Sequence, residues 1–168
     1  MRALGFAGAL PFWAFTPAAA DFLPLELVDP SLPDRAGVLQ VGYGATIISF
    51  LGGVHWGLAM TNVGGAAAAR SRFAWSVVPS LMAFPTVALP TPHAAGAQAA
   101  LLGIVYIADK GFAAKGLLPG WYMAMRLPLT LLAAGALVVT AVTGEDAAAA
   151  GRQRAAETGA APLRAAPP

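Results

Sequence analysis

The sequence predicts an all-α, multi-pass membrane protein, a polytopic helical bundle with about five transmembrane helices. Of the 168 residues, 58% are apolar and only 11% are charged, against roughly a quarter charged in an ordinary soluble domain. The charges are also gathered together. Four blocks, 3–20, 36–69, 73–108 and 127–144, contain no Asp, Glu, Lys or Arg. A bilayer crossing needs about 20 mostly apolar residues, and each block approaches or exceeds that length. None alternates apolar and polar residues as a barrel strand does, so helices are the remaining way to satisfy the backbone in hydrocarbon.

The elements follow in order. Block 3–20 predicts one short helix in spite of Pro11 and Pro17. A rival reading is a cleaved signal, because Arg2, an apolar stretch and Ala18-Ala19-Ala20 imitate one, although Pro11, Phe12 and Trp13 interrupt its apolar centre. The stretch 21–35 carries Asp21, Glu26, Asp29 and Asp34 among Pro24, Pro30 and Pro33, and reads as a solvated interfacial loop. A long helix over 36–60 follows, stopped by Asn62, Gly64 and Gly65, and Arg70 and Arg72 close the loop. Block 73–108 as a single helix would be about 54 Å long against a hydrocarbon core near 30 Å. It must therefore break, and Pro90-Thr91-Pro92-His93 is the place, since proline cannot continue the hydrogen-bond ladder. Helices over 73–89 and 97–112 result, with Pro79 and Pro85 kinking the first, and a last helix covers 122–142. Residues 1–144 thus form the membrane domain. Residues 145–168, rich in Ala, Gly, Pro and Arg, predict a disordered tail because so few large apolar side chains cannot offset the entropy of ordering.

Lys and Arg in short loops set orientation. Placing the N-terminus inside gathers Arg2, Arg70, Arg72, Lys110, Lys115 and Arg126 on the inner side. Arg35 and the tail residues Arg152, Arg154 and Arg164 fall outside. The expected location is a bacterial inner membrane or an organellar (mitochondrial or plastid) membrane.

Composition and motifs narrow the function. There is no cysteine, which removes disulfides, thiolate metal sites and cysteine nucleophiles. Two histidines cannot build a histidine-rich metal centre. The basic residues sit in loops and tail rather than in a stripe, so no nucleic-acid partner is expected. No nucleophile elbow, phosphate loop, paired-histidine zinc motif or acidic metal cluster occurs. The reading is a non-enzymatic chain without a cofactor or catalytic residue, whose partners are the lipid bilayer and another membrane protein or a second copy.

Polar residues inside the apolar blocks are the candidate sites. On the second predicted helix, Gln40, Tyr43 and His55 share a face with Gly44, while Ser49, Gly53 and Trp56 lie opposite. Gly53-Val54-His55-Trp56-Gly57 is a small-xxx-small element that admits a close neighbouring helix. His55 reads either as a proton relay or ligand, or as a neutral imidazole bonded to another helix near the membrane edge. On the fourth predicted helix, Gln98, Leu102, Val105 and Asp109 form one stripe. On the fifth, Tyr122, Arg126 and Thr130 share a face. Asp109 and Arg126 both fall on the inner side, so they are expected to meet across the hairpin, Arg126 donating two bonds to the carboxylate. That contact reads as a hairpin clamp, or alternatively as a gate or a headgroup site. Trp13, Trp56, Trp75 and Trp121 lie near predicted helix ends, as interfacial anchors do.

Four segments carry a family resemblance: Leu4 to Phe12, Tyr43 to Gly57, Trp75 to Leu81 and Trp121 to Thr130. Together they resemble the transmembrane-protein-69-like family over about Leu4 to Val142. The resemblance implies a small integral membrane protein of bacteria and eukaryotic organelles, with the first block retained as a helix. It implies no activity and no catalytic residue. The function expected from these readings is packing against membrane partners. The alternative is a small transporter or proton-conducting channel using the Gln40–Tyr43–His55 face, the Asp109–Arg126 region and the kinked third helix, although no inverted repeat is visible.

Overall fold

The computed structural model describes residues 2–20 and 22–158, with side chains over 5–19 and 22–144. Among these residues every regular element is helical. Three short helices, α1 (Arg2–Ala7), α2 (Leu10–Ala14) and α3 (Pro17–Ala20), open the chain, and a 3-10 turn at Leu25–Leu27 leads to α4 (Leu32–Met60). Then come α5 (Gly65–Ala83), a 3-10 segment (Phe84–Ala88), α6 (Thr91–Ala114) and α7 (Gly120–Thr158). Helix α4 and the Gly120–Gly144 part of α7 are long and apolar enough to cross a membrane. At 1.5 Å per residue, the 29 residues of α4 extend about 44 Å.

The expected single helix over 3–20 is instead broken into three. Pro11 and Pro17 lack the N–H that a continuous ladder needs, and each stands in the first turn of a new helix, where that loss costs nothing. The broken block nevertheless runs antiparallel to α4. Tyr43 Oη donates to Gly8 O at 2.8 Å, Gln40 Nε2 donates to Phe12 O at 2.7 Å, and Pro17 packs at Gly37. As the block advances from 8 to 17, its partners on α4 recede from 43 to 37. Phe12, 1% exposed, is its main apolar anchor, with its ring edge-on to Tyr43.

Helix α4 starts at Leu32, earlier than the expected 36, because Pro33 suits a first turn and Asp34 faces the positive end of the helix dipole. Before it, Asp29 Oδ1 accepts both the backbone N–H and the hydroxyl of Ser31 at 2.8 Å, and these bonds hold the Asp29 carboxyl below its ordinary pKa. The α4–α5 turn uses left-handed backbone at Asn62, Gly64 and Gly65. A β-carbon at Gly64 would also lie 2.5 Å from Leu117 Cδ2. Helix α5 begins at Gly65 rather than 73, since Ala66 to Ala69 are strong helix formers. It packs so closely on α4 that a β-carbon at Gly52 would strike the Ser76 carbonyl.

The expected break in the long third block occurs at Leu89 and Pro90, where Leu89 is extended. Pro92 and His93, however, lie in the first turn of α6 rather than in the break. Helix α7 continues past Glu145 to Thr158, where a disordered tail is expected. The alanine run 147–150 has the highest intrinsic helix propensity, which favours continuing the helix. Residues 159–168 of that expected tail lie outside the described residues.

Beside an apolar core that includes Ile48, Leu102 and Leu137, several polar side chains are buried and many large apolar ones are exposed. Gln40, His55, Arg72, Gln98 and Asp109 are each 0% exposed, whereas Leu81 and Phe84 are 71% and 76% exposed. Buried polar groups and a broad apolar exterior are the informative departures from ordinary burial. Together they fit a chain whose outer solvent is lipid.

Candidate functional site: a buried polar core

Asp109 on α6 is the hub. Its carboxylate receives His55 Nε2 at 2.8 Å on Oδ1, Arg126 Nε at 2.7 Å on Oδ2, and Tyr122 Oη at 3.4 Å on Oδ2. Three long helices, α4, α6 and α7, therefore meet on one carboxylate. An ionised carboxylate only accepts, so His55 Nε2 is the donor of this bond. The imidazole packs against Phe112, ring centres 4.6 Å apart. Nδ1 has no hydrogen-bond partner among the described residues.

The Arg126 side chain is buried and divides its donors. Nε serves Asp109, Nη1 donates to Thr130 Oγ1 at 2.5 Å, and Nη2 has no partner among the described residues. The expected pair of bonds from Arg126 to Asp109 is thus a single bond. Thr130, one turn along the same face, takes Nη1 on the opposite edge of the guanidinium. Asp109 and Arg126 place opposite charges in direct contact.

A second polar layer lies further along α4. Gln40 Nε2 also reaches Ala136 O at 3.4 Å, and Gln98 Nε2 donates to Val41 O and Thr86 Oγ1, both at 2.9 Å. The Gln40, Tyr43 and His55 side chains share a helix face yet have separate partners: Gln40 binds α2 and α7, Tyr43 binds Gly8, and His55 binds α6. No group of three or more His, Asp or Glu side chains able to hold a metal occurs among the described residues. Beside the hub, a cavity of about 550 Å³ opens between the N-terminal block, α4 and α7. Its walls include Phe12, Ile47, Leu51 and Leu129, with Tyr122, Arg126 and Thr130 among the polar members.

The family model described as "Protein of unknown function (DUF3429)" matches residues 1–142. The chain belongs to this family. It is also 32% identical over 135 residues to a protein of Xenopus tropicalis named Transmembrane protein 69, an alignment covering 80% of this chain and 51% of that protein. The chain therefore spans about half the length of the curated relative it matches. No solved structure matches. The relative's name and the apolar helices agree on a membrane location. The activity of the DUF3429 family is not established, so the residues themselves must carry any functional argument.

One buried residue escapes the sequence reading of this family member. Arg72, read as a loop residue, donates from Nη1 to Val63 O at 2.9 Å and Leu58 O at 3.4 Å, and from Nη2 to Leu117 O. It ties the α4–α5 turn to the α6–α7 turn at one end of the bundle. Its only sequence signal is a position on the edge of a charge-free block. Gln98 lies on a noted stripe of α6, but nothing in the sequence identifies its acceptors. Trp75, expected as an interfacial anchor, packs partly buried against the core.

Proposed function

We propose that this DUF3429 protein is a non-enzymatic, multi-pass membrane protein that docks on the transmembrane helix of a partner through the outer face of α4. One observation carries the reading. Gly42, Thr46, Gly53 and Gly57 form an exposed lane along α4, and a β-carbon at Gly42, Gly53 or Gly57 would meet nothing within 4 Å. Such small-residue lanes let a second helix approach backbone to backbone, which is what drives helix association in lipid. Phe50 and Trp56 flank the lane and are exposed, which supplies apolar contact on either side.

The broken N-terminal block, running alongside α4 and α7, supports a fifth crossing beside α4, α5, α6 and α7. The Arg72 tie supports placing the α4–α5 and α6–α7 turns at one end. That end carries Arg70, Lys110 and Lys115, so by the positive-inside rule it is cytoplasmic or its organellar equivalent, with the N-terminus on the same side. The membrane is a bacterial inner membrane or an organellar one.

Mild-detergent extraction at native expression, followed by native gels and mass spectrometry, tests the docking. A discrete complex that dissociates in Gly53→Leu and Gly57→Leu variants is the expected outcome. A lone monomer in the unaltered chain rejects it.

A second reading is proton conduction, favoured by the His55–Asp109 contact at 2.8 Å in a fully buried setting. Liposome flux with His55→Ala and Asp109→Asn variants separates the two readings. Flux equal to that of empty liposomes removes conduction.

A further inference from the structure

The cavity beside the hub has no part in the docking reading, and its lining and course indicate what fills it. Its volume is about 550 Å³, whereas folded interiors hold few voids larger than a water molecule. Water is a poor occupant, because a buried water needs several polar partners. The polar side chains along the wall turn to the hub instead. Arg126 gives Nε to Asp109 and Nη1 to Thr130, and Tyr122 Oη donates to Asp109. The rest of the lining is almost wholly aliphatic and aromatic. A chamber of that kind stays dry and takes an apolar guest.

The course of the cavity selects the guest. Its wall follows α7 from Trp121 to Ala133, about 18 Å of helix. One leaflet, half of a hydrocarbon core, is roughly 15 Å deep. Trp121 stands just after the turn that Arg72 holds at Leu117 O, so this end lies at the membrane surface, where tryptophan is favoured. Phe12 and Ala133, both buried, mark the deep end. Phe50 and Trp121 line the cavity yet are 64% and 65% exposed, so it opens sideways to the exterior that lipid covers. Spread over its length, the volume gives a section of roughly 30 Å², too narrow for a helix about 10–12 Å across. One hydrocarbon chain fits. We propose that the cavity holds one acyl chain of a phospholipid from the leaflet on the Arg72 side, its headgroup at the surface beside Trp121. The inference rests on the multi-pass reading above and is independent of the docking lane. A chain leaving bulk lipid for this slot gains van der Waals contact with the walls rather than further shelter from water.

Native mass spectrometry of the delipidated full chain in nonionic detergent tests the site with three probes that share one headgroup. These are dimyristoyl phosphatidylcholine, didecanoyl phosphatidylcholine and glycerophosphocholine. One dimyristoyl lipid per chain is expected to be retained, the didecanoyl lipid less, and glycerophosphocholine not at all. Val54→Trp fills the slot from the α4 wall and is expected to lose the lipid. Ala133→Leu shortens the deep end and is expected to shift retention from the dimyristoyl to the didecanoyl lipid. If Val54→Trp fails to fold, Ala133→Leu and the comparison of chain lengths decide the matter. Gly53→Leu alters the docking lane at a position that faces open space and does not line the cavity, and it is expected to keep the lipid. Failure of docking and failure of lipid binding are thereby distinguishable. The proposal is overturned if no dimyristoyl lipid is retained, if either other probe is retained equally, or if a folded Val54→Trp protein keeps the lipid. Loss of the lipid in Gly53→Leu, or a lipid-free dimer that assigns the slot to a second copy, overturns it as well.

Discussion

Arg126 grips Asp109 from the side: Nε meets Oδ2 at 2.7 Å while Nη1 turns to Thr130 Oγ1 at 2.5 Å. The pair joins α6 to α7 across the hairpin, and Asp109 joins both to α4 through His55. Removing one member of a buried ion pair leaves the other charge uncompensated, at about 3–5 kcal/mol. Arg126→Ala is therefore expected to lower the melting temperature in detergent far more than Lys115→Ala, whose side chain is exposed. Asp109→Asn combined with Arg126→Gln should recover part of the loss, because no lone charge remains. Equal melting temperatures for the two single alanine variants would contradict the clamp.

His55 contributes the Nε2 donor that Asp109 Oδ1 accepts. His55→Gln can place an amide N–H near the Nε2 position and is expected to cost less than about 1 kcal/mol. His55→Leu removes the donor altogether and is expected to cost about 1–3 kcal/mol. Denaturant titration of the two variants checks the order, and a leucine variant as stable as wild type would show that the contact with Asp109 contributes nothing.

Two neighbouring glycines on α4 should respond with opposite signs. Gly52 faces the Ser76 carbonyl of α5, so Gly52→Ala must push the helices apart, at about 1–3 kcal/mol or more. Gly53 faces open space, and Gly53→Ala should leave the isolated monomer unchanged or more stable by about 0.5–1 kcal/mol, the helix preference of alanine over glycine. Thermal melts of the two proteins in detergent test this directly.

Arg72 holds carbonyls of two turns, so Arg72→Ala leaves these part-buried acceptors without their donor, at up to about 1–3 kcal/mol for an unsatisfied group. Faster proteolysis within residues 61–64 and 115–119, with cleavage elsewhere unchanged, is the expected local signature. Uniform protection would argue that the two turns hold without it.

The gaps between charges made the long helices legible, and Pro90 marked the break between α5 and α6 because its chemistry is local. The Asp109–Arg126 contact was also within reach, since topology puts both residues at the same end of a hairpin. Gln40 and His55 were noticed as polar residues in apolar blocks, but their acceptors depend on how α2, α6 and α7 pack, which no spacing encodes. Arg72 looked like any cation beside a glycine-rich turn, and its burial arises only because the Leu117 turn folds over it. The three-part N-terminal block is not legible as three helices, because Pro11 and Pro17 can equally interrupt one helix or stand in the first turn of new ones. Likewise, composition alone could not tell that the alanine run after Gly144 extends α7.

The docking face of α4 is the central claim, and the absence of cysteine makes it directly measurable. Single-cysteine variants at Thr46, Gly53 and Gly57, and at Ile107 on the exposed face of α6, can each carry a benzophenone maleimide and be irradiated in native membranes. The account predicts one discrete protein adduct of common mass from the three α4 positions and none from Ile107. No adduct from α4, or the same adduct from Ile107, would contradict it.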